Sequence, residues 1–571
     1  MVTVLARTFE GTGSRMSLAG RAAVFGLVLF CEKFLLNFLV DFDVAQTASG
    51  LGGVVRAIQH DGFRFMVAFA VSLALFAYAR GEQRWALINS ASRGTPVRLS
   101  WVALHVLLVL PLAPLSFYLF GRGYVLPFAL LVALWVLFAL GAVWALARAL
   151  APWAMWRDAA RALGALALYA AVTAAVAAGA MQWSEKLWGP TAAITFEMVR
   201  YVLIPIIPSL QADAATRVLS SSHFAVQVSD VCSGLEGAGL LLAFCSAWLL
   251  CFRREYDFPR ALILIPLGLA LSFALNVLRI AGLMMIGDAG YPGIAQYGFH
   301  SQAGWIAFNC AAGLIAFASR RSVWLNRAAR EERALQAELP ATAAVSPGSR
   351  GATDAPEAAL PRSDNPTAVY LLPFLLILAA GMIARAVSSG FEQLYVLRPI
   401  AAAAALVWGW PRLRALNWRC SWRGPLAGVA IFALWIAVAR VLTVRAGMPA
   451  ALAAMAPSWR LLWVVIRVAA AVLTVPLAEE LAFRGYLMRR IVAADFESVR
   501  FRSVGVTALI VSAVAFGIGH GALWFPGVIA GLVYGLVLIN TDRFGEAVAA
   551  HATTNALLAA YVLLWGQWQL W

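Results

Sequence analysis

Three residues far apart in the chain could together carry out acyl transfer. Cys232 can supply a sulfur nucleophile, His300 can move protons, and Arg279 can hold the charge that develops on a carbonyl oxygen. The stretch Ser221–Val231 (SSHFAVQVSDV) alternates in polarity and reads as a short extended segment leading to a turn. Cys232-Ser233-Gly234 then opens an apolar helix, with Ser233 as its expected cap. A thiol close to a helix N-terminus is biased towards the reactive thiolate. Arg279 lies within the apolar run FALNVLRIAGLMMIGD. A charge inside a span costs ~2.5–3.5 kcal/mol on insertion scales, so it has a partner, a task, or a route out to the interface. His300 falls in the next polar loop, GYPGIAQYGFHSQAGW, just before another apolar run.

A second set of polar residues interrupts apolar sequence near the C-terminus. Glu479-Glu480-Leu-Ala-Phe-Arg484 places Glu480 and Arg484 four apart, on one helix face where they can pair. Phe516-Gly-Ile-Gly-His520 follows, and then His551-Ala-Thr-Thr-Asn555, again with both polar residues on one face. Two carboxylates, two imidazoles and an amide meeting in a low-dielectric bundle would activate a water. Glu479, His520 and His551 could do so by holding a divalent metal such as zinc. Alternatively, a glutamate acts as general base with His and Asn as oxyanion donors. The spacing leaves both open, and HExxH is absent.

The elements that must position these groups are membrane helices. The chain has 571 residues, of which 62% are hydrophobic and 13% charged. Ordinary soluble domains run at roughly 45–50% apolar and 25% charged, so no water-soluble core could hide this surface. The apolar stretches are continuous runs, which excludes a porin-type barrel. The net charge of +16 follows the positive-inside pattern. Nucleic-acid binding would want a basic soluble module with aromatic platforms, and none is visible. The six cysteines (31, 232, 245, 251, 310 and 420) form no CxxC and no paired spacing, so neither a disulfide framework nor a zinc ribbon is expected.

The expected fold class is all-α: a polytopic transmembrane helical bundle with two membrane bodies joined by a flexible linker. The first body spans 18–321, the cytoplasmic linker 322–366 and the second body 367–571. A signal-anchor helix runs to about Val40, with Glu32 and Lys33 adjacent inside it. Further spans are expected at Phe65–Ala79, Leu99–Phe120, Val125–Ala147, Leu163–Met181, Leu235–Cys251, Ala261–Ile286 and Ala303–Ser319. Met198–Leu210, broken by Pro205 and Pro208, reads as a re-entrant piece. Arginine-rich loops alternate with acid-leaning or neutral ones such as Asp41–Asp61, which puts the N-terminus inside and Cys232 and His300 at the outer face. The linker is rich in Ala, Pro, Ser and Gly and lacks an apolar run. Spans of the second body are expected at Ala368–Ala384, Pro399–Trp410, Pro425–Ala439, Leu461–Leu477, Val504–Ile518, Trp524–Ile539 and Ala547–Trp565.

At VSDVCSGLEG, NVLRIAGL and FHSQAGW the sequence resembles the exosortase/archaeosortase family, over roughly Leu18–Arg321. The resemblance implies Cys232 as nucleophile, Arg279 as oxyanion residue and His300 as acid/base. It also implies exported substrates with a C-terminal sorting signal: a short motif, a transmembrane helix and a basic tail. Glu236 departs from the basic or neutral residue more usual after the Cys motif. The pattern EExxxR, FxxxH, HxxxN is similar to that of the CPBP family, intramembrane proteases related to CAAX-processing endopeptidases, over about Ala368–Trp565. That resemblance implies a glutamate-dependent, metal-dependent endopeptidase using Glu479, Glu480, Arg484, His520, His551 and Asn555. The joined pair resembles the exosortase E type, which implies a bacterial inner membrane, a periplasmic cysteine site and cargo with a VPEID-like motif. Two other readings stand beside it: a transporter or channel, and an exosortase with a non-catalytic CPBP-like partner. Transport sites sit on broken helices near the midplane, whereas Cys232 and His300 are expected at an interface.

Overall fold

In the computed structural model, the described residues are 18–39, 65, 68–69, 72–73, 76, 95–120, 127–327, 330 and 365–571. Most of the expected span Phe65–Ala79, the Asp41–Asp61 loop and 331–364 of the expected linker lie outside them. Among the described residues, nine helices are long and apolar enough to cross a membrane, and the protein is a multi-pass membrane protein. The chain divides into two compact units. One holds residues 1–182, 416–444 and 479–558; the other holds 183–415, 445–478 and 559–571.

In the first unit, α1 (Leu18–Leu39), α2 (Leu99–Val109), α3 (Leu112–Phe120) and α4 (Phe128–Leu150) pack together. The charge that clouds the first span finds a partner there. Glu32 Oε1 lies 2.6 Å from His105 Nε2, and the other ring nitrogen lies 2.9 Å from the Ala142 carbonyl. The buried Arg21 guanidinium donates to the carbonyls of Leu150 and Thr95. Hydrogen-bonded partners and carbonyl caps are how a span tolerates ionisable groups.

α5 (Trp153–Leu163) is short and carries Arg157 and Arg161 on a polar face. α6 then runs unbroken from Ala165 to Leu203, 39 residues and about 58 Å at 1.5 Å per residue. This corrects two expectations. The span Leu163–Met181 does not stop at Met181, and 198–203 is not a re-entrant piece but the tail of α6. Pro205 and Pro208 disfavour helix in the residues before them, so they end the helix rather than breaking one in the middle. Its second half lies in the second unit.

There the chain leaves the helix for a small antiparallel sheet, β1 (Gln211–Asp213), β2 (Val218–Ser220) and β3 (Ala225–Gln227), in the order β1-β2-β3. Leu219 and Val228 drop into a core made by Phe196, Val199 and Leu203 of α6 and by Val277, Ile280 and Met284. The last three belong to α8 (Leu264–Asp288), which packs against α7 (Leu235–Cys251) and α9 (His300–Arg321). The expected linker is not loose at its start. The Arg327 amide donates to the Glu255 carbonyl at 2.8 Å, and the Asp257 amide to the Leu325 carbonyl at 2.9 Å.

Two helices after the linker also belong to this unit, α10 (Pro366–Ala386) and α11 (Leu397–Leu413). α12 (Arg423–Leu442) returns to the first unit. α13 (Pro457–Arg490) contains π-helical turns at Ala470–Thr474 and Leu481–Leu487. α14 (Val506–Ile518), α15 (Trp524–Thr541) and α16 (Phe544–Trp565) follow, and α14 and α15 approach through small residues. A Cβ on Gly531 would sit 2.8 Å from Ala513 Cα. Such contact lets helices pack where lipid supplies no hydrophobic drive.

Candidate active site

Cys232 lies in a single 3₁₀ turn, Asp230–Ser233, directly before α7. Ser233 does not cap α7, contrary to the sequence expectation. Gly234 takes the cap position at φ +87°, a left-handed conformation that costs glycine least. The turn is held from α8: Asn276 Nδ2 donates to the Cys232 carbonyl at 3.0 Å. A Cβ on residue 234 would lie 2.7 Å from that amide nitrogen, so the close approach itself demands glycine. Ser229 Oγ lies 3.4 Å from Cys232 Sγ and donates to it. The thiol is half-buried.

Arg279 follows Asn276 by three residues, so the two share one face of α8. Its Nε is buried and has no hydrogen-bond partner. Arg279 and Asn276 line a cavity of about 270 Å³ together with Val231, Gly234, Glu236 and Ser301. His300 is the first residue of α9 and is exposed. It follows a π-helical turn, Ile294–Phe299, a local widening that occurs often at functional sites. Gly304, one turn on from His300 and on its face, leaves room for the guanidinium: a Cβ there would lie 3.1 Å from Arg279 Nη1. The cavity is thus lined by Arg279, by Val231 and Gly234 on either side of Cys232, and by Ser301 next to His300, while Cys232 and His300 themselves are not among its lining residues. Nothing in the motifs pointed to Ser229. Asn276 had one signal, a lone amide three residues before a lone arginine in an apolar run.

The second constellation is assembled within the other unit. Glu480 and Arg484, both fully buried, pair at 3.1 Å. Glu480 Oε1 also meets His551 Nδ1 at 3.0 Å, and His551 Nε2 lies 3.8 Å from Glu479 Oε2. The Arg484 guanidinium lies 4.2 Å from the centre of the Phe516 ring and donates to the Gly531 carbonyl at 3.2 Å. Phe516 contacts the rings of both His520 and His551. His520 Nδ1 donates to the Phe516 carbonyl at 2.9 Å, and Trp435 meets the ring edge-on. Tyr534 stacks on His551 and donates to Thr554 Oγ1 at 2.7 Å. Asn555 stands one turn beyond His551 on α16. Oε2 of Glu479 and Oε2 of Glu480 are buried with no hydrogen-bond partner.

As placed, this donor set forms no metal-ligand cluster. Among the described residues no three His, Cys, Asp or Glu side chains gather as ligands. Glu480 Oε1 is shared by His551 Nδ1 and Arg484, and His520 Nδ1 is engaged with a backbone carbonyl, which leaves the Nε2 atoms of both imidazoles and the carboxylate of Glu479 as the groups that could reach a metal. Tyr534 and Thr554 were not anticipated: Tyr534 stands alone in the apolar middle of its helix, and Thr554 lies unnoticed between His551 and Asn555.

Residues 58–317 match the family described as transmembrane exosortase, and residues 458–557 match the family described as type II CAAX prenyl endopeptidase Rce1-like. The chain joins an exosortase region to an Rce1-like region. No curated protein and no solved structure matches it. Both families are membrane proteases, so the protein is a membrane protease in kind, and the exosortase region implies processing of exported proteins with C-terminal sorting signals. Cys232, Arg279 and His300 fall inside the exosortase stretch, and all six polar residues of the second constellation fall inside the Rce1-like stretch.

Proposed function

We propose that the exosortase region cleaves C-terminal sorting signals through Cys232 and transfers the new carboxyl end to an acceptor amine. The observation that carries this reading is the buried, partnerless Nε of Arg279 on the wall of a cavity flanked by the Cys232 turn and the start of α9. The thiolate attacks the scissile carbonyl, and its electron pair moves onto oxygen, where Arg279 holds it. On collapse the amine leaves, taking a proton from His300, and a thioester remains on Cys232. An acceptor amine or water then attacks the thioester, gives its proton to His300 and releases the Cys232 thiolate, which restores the starting thiolate and protonated His300. The cargo is an exported protein ending in a VPEID-like motif, a transmembrane helix and a basic tail, processed at the periplasmic face of a bacterial inner membrane. Mass spectrometry of such a cargo is expected to find the mature C-terminus at the motif, with helix and tail removed. A cargo that keeps its tail overturns the reading.

The Rce1-like region hydrolyses peptide bonds within the membrane. The two partnerless carboxylate oxygens of Glu479 and Glu480 support this. Glu479, the less fully enclosed of the pair, takes the proton of the attacking water. Glu480 is fixed by Arg484 and His551, and His520 and Asn555 donate to the oxyanion. Cleavage by this region is expected to survive exhaustive treatment with a chelator and to fall about 1,000-fold in Glu479→Gln. Loss of cleavage on chelation, restored by added zinc, would instead return the metal-dependent reading.

A further inference from the structure

Between the two family matches lies the helix pair α10–α11, which neither covers. It packs on the segment that delivers His300, within one compact unit. A Cβ on Gly298, two residues before His300, would lie 2.6 Å from the Arg385 carbonyl oxygen and 2.9 Å from that of Ala386, and would also collide with that of Ser388. These are backbone atoms at the C-terminal end of α10 and cannot swing aside. Arg385 Nη2 donates to Gln302 Oε1 at 3.4 Å, two residues after His300. Gly293, at the head of the π-helical turn, would place a Cβ 3.1 Å from Ser389 Cβ. The turn is thus gripped at its start, at its end and just beyond His300.

The grip is itself rigid. Arg398 of α11 crosses α10 at Gly381, where a Cβ would lie 2.7 Å from its Cζ. Its guanidinium then forms two parallel hydrogen bonds to Glu392 at 2.7 and 2.6 Å. The fork geometry fixes direction as well as distance. Trp463 Nε1 donates to the Glu392 carbonyl at 3.2 Å, which ties the connection between α10 and α11 to α13.

We infer that α10–α11 is part of the cysteine machinery: Arg385 and the C-terminal end of α10 are positioning elements that set His300 against the Cys232 thioester chemistry. The inference rests on the proposed role of Cys232 and gives the fusion a physical purpose, since helices downstream of the linker complete a site upstream of it. A π-helical turn is a strained way to enter a helix, and a clamp that holds it fixes where the imidazole stands. A misplacement of about 1 Å at a proton-transfer group costs on the order of 100-fold in rate.

Two measurements on the full-length chain decide it. In the first, Gly293→Cys and Ser389→Cys are combined, with a protease site inserted within 331–364. The built Cβ separation is a few tenths of an ångström below the ~3.5–4.5 Å range of disulfides, within reach of a small relaxation. After oxidation and cutting, the two fragments are expected to migrate as one band without reductant and as two with it. Separate bands under both conditions, with each single cysteine open to alkylation, overturn the contact. In the second, Arg385→Ala and Gly298→Ala are expected to lower kcat for sorting-signal cleavage about 100-fold with KM unchanged. Arg385→Lys should restore most of the rate, and Glu479-dependent cleavage should stay at its normal rate. Normal sorting in both variants, or equal loss of both activities, overturns the positioning role. If Cys232→Ser leaves sorting intact, the role proposed for Cys232 fails while the cross-link still reports on the contact.

Discussion

Cys232→Ser is expected to lower sorting-signal cleavage by about 10⁴-fold or more. The substitution changes one atom of nearly the same shape. The turn should survive it, because Asn276 holds the Cys232 carbonyl and Gly234 supplies the left-handed cap, and neither depends on sulfur. Ser229 can still donate to the serine oxygen. What changes is the nucleophile: a hydroxyl is far weaker at neutral pH than a thiol with a thiolate fraction. Arg279→Lys keeps the charge and loses the planar fork, and is expected to cost about 100-fold in kcat, in the range of removing one oxyanion donor. The two variants divide the chemistry. Hydroxylamine should release a trapped thioester from Arg279→Lys and nothing from Cys232→Ser. A membrane-impermeant maleimide should label Cys232 from outside in intact spheroplasts. Cleavage that persists in Cys232→Ser, or a thiol reached only from the cytoplasmic side, would remove the outer-face cysteine mechanism.

Long apolar runs made most of the helices legible, because a lipid-exposed helix must be apolar along its whole length. The errors fell where a local signal had two meanings. Pro205 and Pro208 looked like breaks in a short span but are the end of α6, and only the continuation through residue 182 reveals that. Ser233 looked like a cap because serine is a good one, yet Gly234 takes the position since Asn276 presses against it. The polar residues of both sites could be named because each is isolated in apolar sequence. Their supporting partners could not. Asn276, Tyr534 and Thr554 act through contacts with residues 20 or more positions away, and their own neighbourhoods, even the arginine after Asn276 and the motif around Thr554, do not say with which. The Glu32–His105 pair is the same lesson: an oddity in one helix is resolved by a histidine 73 residues on. The grip of α10 on the π-helical turn depends on bringing together segments on opposite sides of the linker, which no local pattern encodes.

Arg484→Met is expected to destabilise the Rce1-like region by about 3–5 kcal/mol, the range for breaking a buried ion pair from one side. Arg484 and Glu480 are 1% and 0% exposed, so water cannot replace the lost partner. The carboxylate would face His551 alone, with the partnerless Oε2 oxygens of both glutamates close by. The guanidinium also fills space against Phe516 and Tyr534 and caps the Gly531 carbonyl, so its loss removes packing as well as charge. The discriminating measurement is the double variant Glu480→Gln, Arg484→Met. Removing both charges should recover most of the melting temperature, because an uncharged pair of similar volume carries no buried charge to compensate. It should not recover cleavage, because His551 would then lack the carboxylate that orients it. Thermal unfolding in detergent reads the first effect and intramembrane cleavage the second. If the double variant is as unstable as Arg484→Met alone, Arg484 acts through packing rather than charge. If it cleaves at the normal rate, the Glu480–Arg484–His551 network is scaffold, and the chemistry of this region rests on Glu479 with other donors.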